Sequence, residues 1–127
     1  MESNIKKPVV YIASPYSRGD AAINTHSQCR VFDKLLTEDL VTPIAPLWSH
    51  FQHTLFPRAY EDWIKYDQSL LHLYDACLRL DSEDPRTKYV ETQSSGADNE
   101  VATFKSMGKP VFFSIPDLYS WIERNEK

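Results

Sequence analysis

The sequence lacks the two glycine-rich motifs by which many α/β proteins bind phosphate groups. Neither the P-loop pattern GxxxxGK(S/T) nor the dinucleotide-binding pattern GxGxxG occurs, and the chain of 127 residues contains only 3 glycines. The first absence excludes a P-loop nucleotide hydrolase. The second removes the main support for dinucleotide binding.

Cysteine is scarce as well. Cys29 and Cys77 lie far apart and no CxxC spacing occurs, so neither a disulfide framework nor a zinc knuckle is indicated. We expect buried free thiols in a reducing compartment. His50 and His53 form an HxxH pattern, but no third ligand stands at a useful spacing. We therefore expect packing or surface histidines, no metal and no other cofactor.

Long hydrophobic runs and an excess of basic charge are also missing. The apolar run within the N-terminal segment MESNIKKPVVYIAS is too short for a signal peptide or a membrane span, which predicts a soluble, cytoplasmic protein. The net charge of -4 argues against a nucleic-acid polymer or an anionic membrane as the partner. A small molecule is the expected ligand.

The chain does contain a regular alternation of short apolar runs and longer amphipathic ones. Its 42% hydrophobic residues suffice for one packed core, so a single domain over residues 1–127 is expected. Strands are predicted at 9–14, 41–46, 76–81 and 111–115, and helices at 21–40, 58–75, 97–108 and 116–127. This order predicts a three-layer α/β/α domain, flavodoxin-like or Rossmann-like, with a parallel sheet of about four to five strands.

Local signals add detail to this outline. Asp20 is a candidate N-cap, Pro43 places the second strand near a sheet edge, and Asp75 is typical of a helix-to-strand turn. Gly108 marks the end of a helix. The first helix is predicted from apolar and small residues that recur every four positions: Ile23, Ser27, Val31 and Leu35.

The segment SPYSRGD follows the first predicted strand, and parallel sheets bind ligands at the carboxyl ends of their strands. It offers hydroxyl groups and one cation ahead of a helix N-terminus, an arrangement that favours an anion such as a phosphate. The candidate residues are Ser14, Tyr16, Ser17 and Arg18. An N-capping turn with a solvated arginine explains the same residues equally well.

Segment 47–57, after the second predicted strand, is predicted as a loop with aromatic content. Trp48 and His50 within it offer flat surfaces on which a heterocyclic base could stack. A plain core tryptophan is an equal alternative. A second loop, the polar stretch 82–93, is predicted to be long and exposed.

Two carboxylates are candidates for chemistry. Glu100 follows the Ser-Ser-Gly turn 94–96 and lies near a helix start, where the dipole would keep it ionised and suited to attack an anomeric carbon. A glutamate that only improves helix capping is the plainer alternative. Asp67 shares a helical stripe with Trp63 and Leu70, so it faces a core or cleft and needs a partner or a function there. A surface or salt-bridged aspartate is the alternative.

The motifs VYIASPYS, YDQSLLHLYDACLRL and SSGADNEVATFKSMGKPVFF together span nearly the whole chain. In this order they resemble the nucleoside 2-deoxyribosyltransferase-like superfamily. That superfamily includes nucleoside deoxyribosyltransferases, 2'-deoxynucleoside 5'-phosphate N-hydrolases and small bacterial and phage proteins with a YLASPYS-type first motif. The similarity is greatest to this last branch, for which the resemblance supplies no substrate.

The resemblance implies roles for several residues. The family's nucleophilic glutamate falls on Glu100, its aspartate on the helix before the third strand falls on Asp67, and its first-strand tyrosine falls on Tyr11. Ser94 takes the place of a serine that helps to hold a 5'-phosphate, and Gly96 shapes the same cradle. The first loop departs from the glycine-rich loop of the hydrolases, which leaves the phosphate contact open.

The activity implied is cleavage of an N-glycosidic bond. Glu100 would attack C1' of a 2'-deoxyribosyl group while Asp67 protonates the departing base or orients a sugar hydroxyl. Water would complete hydrolysis and a second base would complete transfer, so a deoxyribosyltransferase is an alternative, as is a non-catalytic nucleotide-binding module. Family members form dimers or larger assemblies, and the aromatic helices around Trp63 and Trp121 could supply such an interface.

Overall fold

The structure is a computed structural model that describes residues 7–14, 21–80 and 95–124. These residues form a sheet with helices before and after its strands. The elements are β1 (Val9–Ala13), α1 (Ala21–Glu38), β2 (Thr42–Ile44), α2 (Ser49–Leu55), α3 (Tyr60–Ser69), β3 (Ala76–Arg79), α4 (Ser95–Ser106), β4 (Val111–Phe112) and α5 (Ile115–Arg124), with short 3-10 helices at Pro46–Trp48 and Leu71–Leu73. Across the described ranges, no helix combines the length and hydropathy needed to cross a bilayer.

The sheet is parallel throughout, in the order β2-β1-β3-β4. The chain leaves β1, adds β2 on one side and then adds β3 on the other side of β1. The carboxyl ends of β1 and β3 therefore border the topological switch point, where α/β sheets bind their ligands. Helices cover both faces of the sheet, which confirms the predicted three-layer α/β class.

One face of the sheet is covered by α1 and α5. Leu35 of α1 and Leu118 of α5 are fully buried against Val10 and Ile12 of β1. The β-branched residues of β1 suit a strand that is covered on both sides. The side chains of this core cluster are apolar, and the buried amide of Gln28 on α1 lies beside it, bonded to the Ile12 carbonyl.

The other face carries α4 and the 3-10 helix Leu71–Leu73. Phe104 of α4 and Leu71 pack on Tyr11 and Ala13 of β1 and on Cys77 of β3. Because successive side chains of a strand point to opposite faces, the tyrosine of β1 belongs to this second core rather than the first. That alternation places the Tyr11 hydroxyl on the side of the sheet where α4 lies.

Several local predictions agree with the structure. Pro43 lies in β2, which pairs only with β1 in the described sheet and so forms an edge. Gly108 has φ of +73° and ends α4, and the next N–H, that of Lys109, donates to the Phe104 carbonyl at 2.9 Å in a Schellman-type closure. Asp75 lies directly before β3, and its carboxylate accepts a hydrogen bond of 2.8 Å from the N–H of Val9, the first residue of β1.

Other predictions are wrong. Segment 47–57 is not a loop but contains the end of a 3-10 helix and the whole of α2. In α1 the predicted stripe is buried at Ser27 and Leu35 and half-buried at Val31, but its first residue, Ile23, is 37% exposed. Two further predictions, the N-cap at Asp20 and the exposed loop 82–93, fall on residues outside the described ranges.

Candidate active site

Tyr11 and Glu100 form a buried hydrogen-bonded pair. The Tyr11 hydroxyl donates to Oε2 of Glu100 at an O···O distance of 2.6 Å. Tyr11 is 1% exposed and Glu100 6% exposed, so the bond lies out of bulk water, and 89 residues of sequence separate its partners. A short bond of this kind to a carboxylate is among the stronger hydrogen bonds in proteins.

Glu100 lies deeper in its helix than the sequence predicted. α4 begins at Ser95, so Gly96 belongs to the helix and not to a turn ahead of it, and Glu100 is in the second turn. Burial also opposes the stabilisation of a charged carboxylate that the sequence predicted from the helix dipole. Burial raises the pKa of Glu100 to about 7, although the hydrogen bond from Tyr11 and the charge of Arg79 act in the opposite direction.

Asp67 supplies a second carboxyl group close to the first. It lies on α3, and burial raises the pKa of its carboxyl to about 7. Its charge also raises the pKa of Glu100 and of Tyr11, which shows that the three groups share one electrostatic environment. Sequence reasoning therefore placed Asp67 correctly on a stripe that faces inward. Asp67 is half-buried rather than on the open surface, and it makes no salt bridge with another described residue.

An aromatic stack supports the Tyr11 ring. Tyr74 lies at a ring-centroid distance of 5.0 Å with an interplanar angle of 29°, and Phe104 lies 5.8 Å away on a tilted plane. Tyr74 also stacks on Phe104 at 6.5 Å. Three rings in mutual contact restrict the rotation of Tyr11, so its hydroxyl is held in place toward Glu100.

A cavity of about 470 Å³ opens beside this stack. Its described wall comes from residues 44–46, from α2, from α3 and from segment 70–74 after it, and includes the aromatic side chains Trp63, Tyr66 and Tyr74. The polar side chains in the same wall are Ser49, Gln52 and Asp67, and the described wall has no lysine or arginine. The volume and the mainly apolar lining are those of a pocket for a small organic molecule.

Tyr74 connects the cavity with the buried pair. Tyr11 and Glu100 do not belong to the described cavity wall, whereas Tyr74 does and stacks on Tyr11. Asp67, which lies on α3, is also part of the cavity wall. A molecule in the cavity would thus have the Asp67 carboxyl group in the wall, and beyond the wall residue Tyr74 lies Tyr11 with its hydrogen-bond partner Glu100.

His53 fixes the corner between α2 and α3, which carry much of this wall. Its Nδ1 accepts a hydrogen bond of 3.0 Å from the Trp63 indole N–H and one of 3.1 Å from the Arg58 backbone N–H. Since Nδ1 accepts both bonds, the ring hydrogen of the neutral imidazole must be on Nε2. The histidine of the HxxH pattern is thus a structural residue that orients an aromatic wall residue.

The remaining predicted site residues are only partly described. Ser14 is half-buried directly after β1. The backbone of Trp48 lies in the 3-10 helix Pro46–Trp48 and that of His50 in α2, whereas their side chains are outside the described part of the structure. The other four candidates lie outside the described residues: Tyr16, Ser17, Arg18 and Ser94.

The chain matches no protein-family model, no curated protein and no solved structure. What the site can do chemically follows from its own side chains. Among the described residues no group of three or more histidine, cysteine or acidic side chains is arranged to hold a metal ion. Cys77 lies near Glu100, but burial raises the pKa of its thiol to about 12, so it is a poor source of thiolate.

Sequence reasoning missed two buried polar residues at this end of the sheet. Arg79, 6% exposed at the end of β3, lowers the pKa of Glu100 through its charge and donates to the Leu80 carbonyl. Gln28 of α1 is fully buried and hydrogen-bonds to Ile12 of β1 and to Leu47 of the 3-10 helix that follows β2. An arginine within the apolar run ACLRL was the available signal for the first. A glutamine on a helix gave no comparable signal.

Both carboxyl groups have a pKa raised to about 7, and burial is the largest cause for each. Glu100 in addition has a hydroxyl donor and a nearby cation that favour its charged form. Because the two groups interact, they titrate as a pair. Two neighbouring carboxyl groups are also what glycosidases use, one as the nucleophile and the other as the proton donor.

This burial makes stability depend on pH. Because the pKa of Glu100 rises from 4.5 to about 7 on folding, its stabilising effect is complete below pH 4.5 and is lost as pH rises through 7. The loss amounts to about 3 kcal/mol of unfolding free energy from Glu100, and Asp67 adds to it in the same direction. Urea unfolding followed by tryptophan fluorescence from pH 4.5 to pH 8 measures it.

Glu100→Gln should remove about half of this dependence, since Asp67 contributes a comparable share, and should leave the variant relatively more stable than wild type at pH 8. Glu61, an exposed acid in the first turn of α3, provides the matched control, and Glu61→Gln should keep the wild-type slope. If the unfolding free energy of Glu100→Gln depended on pH as steeply as that of the wild type, burial would not raise the pKa of Glu100.

Proposed function

We propose that this protein is an N-glycosidase that hydrolyses the bond between the base and the sugar of a 2'-deoxynucleoside or its 5'-monophosphate. Glu100 is the nucleophile and Asp67 the proton donor. The observation that carries the proposal is the buried hydrogen bond from Tyr11 to Glu100 beside an aromatic-lined cavity with Asp67 in its wall.

The first step breaks the glycosidic bond. An oxygen of the Glu100 carboxylate forms a bond to C1' as the C1'–N bond breaks, and the electron pair of that bond leaves with the base. Asp67 transfers its proton to the departing base, which leaves as a neutral molecule. The product in the site is a glycosyl ester of Glu100, reached through an oxocarbenium-like transition state.

The second step uses water. Asp67, now a carboxylate, takes a proton from a water molecule whose oxygen forms a bond to C1', and the ester bond to Glu100 breaks. Free 2-deoxyribose or its 5-phosphate leaves, and both acids return to their starting state. Two displacements at C1' give net retention of configuration.

The cavity supports a base as the group that occupies it. Its aromatic side chains Trp63, Tyr66 and Tyr74 provide flat apolar surface, and Ser49 and Gln52 provide hydrogen-bonding groups for the edge of a heterocycle. The described wall lacks cations, so it favours the neutral part of a nucleotide over its phosphate. Both the nucleoside and the monophosphate stay within the proposal.

Incubation with a panel of 2'-deoxynucleosides and their 5'-monophosphates, followed by chromatography for free base, tests the proposal. Stoichiometric release of base and of 2-deoxyribose or its phosphate is the expected result. Ribonucleosides are the matched control substrates. Repeating the reaction with a second free base separates hydrolysis from exchange, since formation of a new nucleoside without free sugar would identify a transferase. Absence of turnover across the panel at high protein concentration would overturn the proposal.

A further inference from the structure

Gln28 is a fully buried amide with a partner for each end of its side chain. Its Nε2 donates to the Ile12 carbonyl at 2.9 Å and to Ser14 Oγ at 2.8 Å, and its Oε1 accepts the Leu47 backbone N–H at 2.8 Å. A buried amide without partners is costly, so these bonds account for a polar side chain on the inner face of α1. These hydrogen bonds join the carboxyl end of β1 to the segment that follows β2.

The backbone partners define which way round the amide lies. The Leu47 N–H can only donate, so it must face the amide oxygen, and the Ile12 carbonyl can only accept, so it must face the amide nitrogen. This assignment does not depend on distinguishing oxygen from nitrogen in the side chain itself. Ser14 Oγ is therefore on the donor side of Gln28 and must act as an acceptor there.

The direction of that bond determines what Ser14 can offer. A serine hydroxyl has one hydrogen, and Ser14 Oγ does not use its hydrogen in the bond from Gln28. Ser14 is half-buried at the carboxyl end of β1, beside the switch point. Within the described residues no acceptor takes this hydrogen, so it can bind an acceptor oxygen at the edge of the sheet where a ligand of an α/β protein binds.

We propose that Gln28 is a positioning residue that makes Ser14 a hydrogen-bond donor to a sugar or phosphate oxygen of the substrate. The inference rests on the proposed function for the identity of that substrate. Gln28 acts through Ser14 and, by holding Leu47, also fixes the segment that carries Pro46 in the cavity wall. The amide thereby connects the oxygen contact with the cavity that takes the base.

The test compares Ser14→Ala, Gln28→Met and the double variant, with KM and kcat measured on the best substrate of the panel. Each single change should raise KM ~10-fold and leave kcat within about three-fold, because the bond exists in both ground and transition states. The double variant should be no worse than the more severe single one, because both changes remove one shared function. Ser14→Thr, which keeps the hydroxyl, should stay close to wild type.

Multiplicative effects in the double variant, or an unchanged KM in Ser14→Ala, would overturn the proposal while leaving base release by the wild type intact. Should Gln28→Met not fold, the contrast between Ser14→Ala and Ser14→Thr decides, and equal KM values for these two would overturn it. If the wild type releases no base, the proposed function fails by itself. Side-chain NMR then tests the arrangement: one Gln28 amide proton should lose protection from exchange in Ser14→Ala, and equal protection in both proteins would overturn it.

Discussion

Replacing Glu100 by glutamine is expected to reduce kcat for base release ~10³-fold or more, equivalent to about 4 kcal/mol of barrier. Glutamine has nearly the same shape, and its amide oxygen can still accept the Tyr11 hydrogen bond. What it lacks is a charged oxygen able to form the ester with C1'. The loss should therefore appear in the chemical step, with KM little changed.

Stability separates this expected loss from simple misfolding. Glu100 is buried with a pKa raised to about 7, so replacing it removes a destabilising charge at alkaline pH. The variant should then be at least as stable as wild type at pH 8 while it is inactive there. If the variant were misfolded, its activity and its stability would instead fall together.

A covalent trap locates the nucleophile directly. A substrate with fluorine at C2' slows both steps and should let the glycosyl ester accumulate, because fluorine destabilises the oxocarbenium-like transition states. Mass spectrometry of the digested protein should place the sugar on the peptide that contains Glu100. Glu61→Gln, at an exposed position of α3, should trap and turn over normally. A label on another residue, or near wild-type turnover by Glu100→Gln, would contradict the assignment.

The parts of the site that the sequence predicts are those encoded by local spacing. Asp67 lies four residues after Trp63 and three before Leu70, and that helical spacing alone indicates a shared face, which the cavity wall confirms. Tyr11 and Glu100 are different, since 89 residues separate them and only the order of the sheet brings them together. Tyr11 was indicated only by the resemblance of the motifs, whereas Glu100 was indicated also by its position near a helix start.

The raised pKa of Glu100 could not be predicted from its position in the sequence. A glutamate near a helix start is expected to be ionised, because the dipole favours a negative charge there. The structure places it in the second turn and against the sheet, where burial outweighs the dipole. Gln28 shows the same limit, because a glutamine on a helix signals exposure until its strand partners are known.

The helix α2 escaped prediction because it has no buried apolar stripe. Phe51 and Leu55 lie four positions apart, but two residues in a seven-residue segment are too weak a pattern to predict a helix, and they are 63% and 71% exposed. Its position depends instead on contacts at its end, where His53 accepts hydrogen bonds from Arg58 and Trp63. Such tertiary contacts leave no pattern in seven consecutive residues.

The second large effect is expected for Asp67→Asn, which should lower kcat for natural bases ~10²- to 10⁴-fold. An asparagine keeps the size of the side chain but cannot give the leaving base a proton. A 2-deoxyriboside of 4-nitrophenol needs no proton to leave, so its cleavage should fall less than about ten-fold. Asp62→Asn, an exposed change on the same helix, should leave both rates unchanged. Equal losses for the two leaving groups would contradict a proton-donor role.

The pH dependence tests the same assignment independently. In the wild type, kcat should decline on the alkaline side as Asp67 loses its proton and on the acid side as Glu100 gains one, in a bell near pH 7 that belongs to the pair. Asp67→Asn should abolish the alkaline decline. It should leave the acid limb in place, because Asp67 is already protonated and uncharged when Glu100 gains its proton. An alkaline limb that survives this change would assign the donor's role to another group.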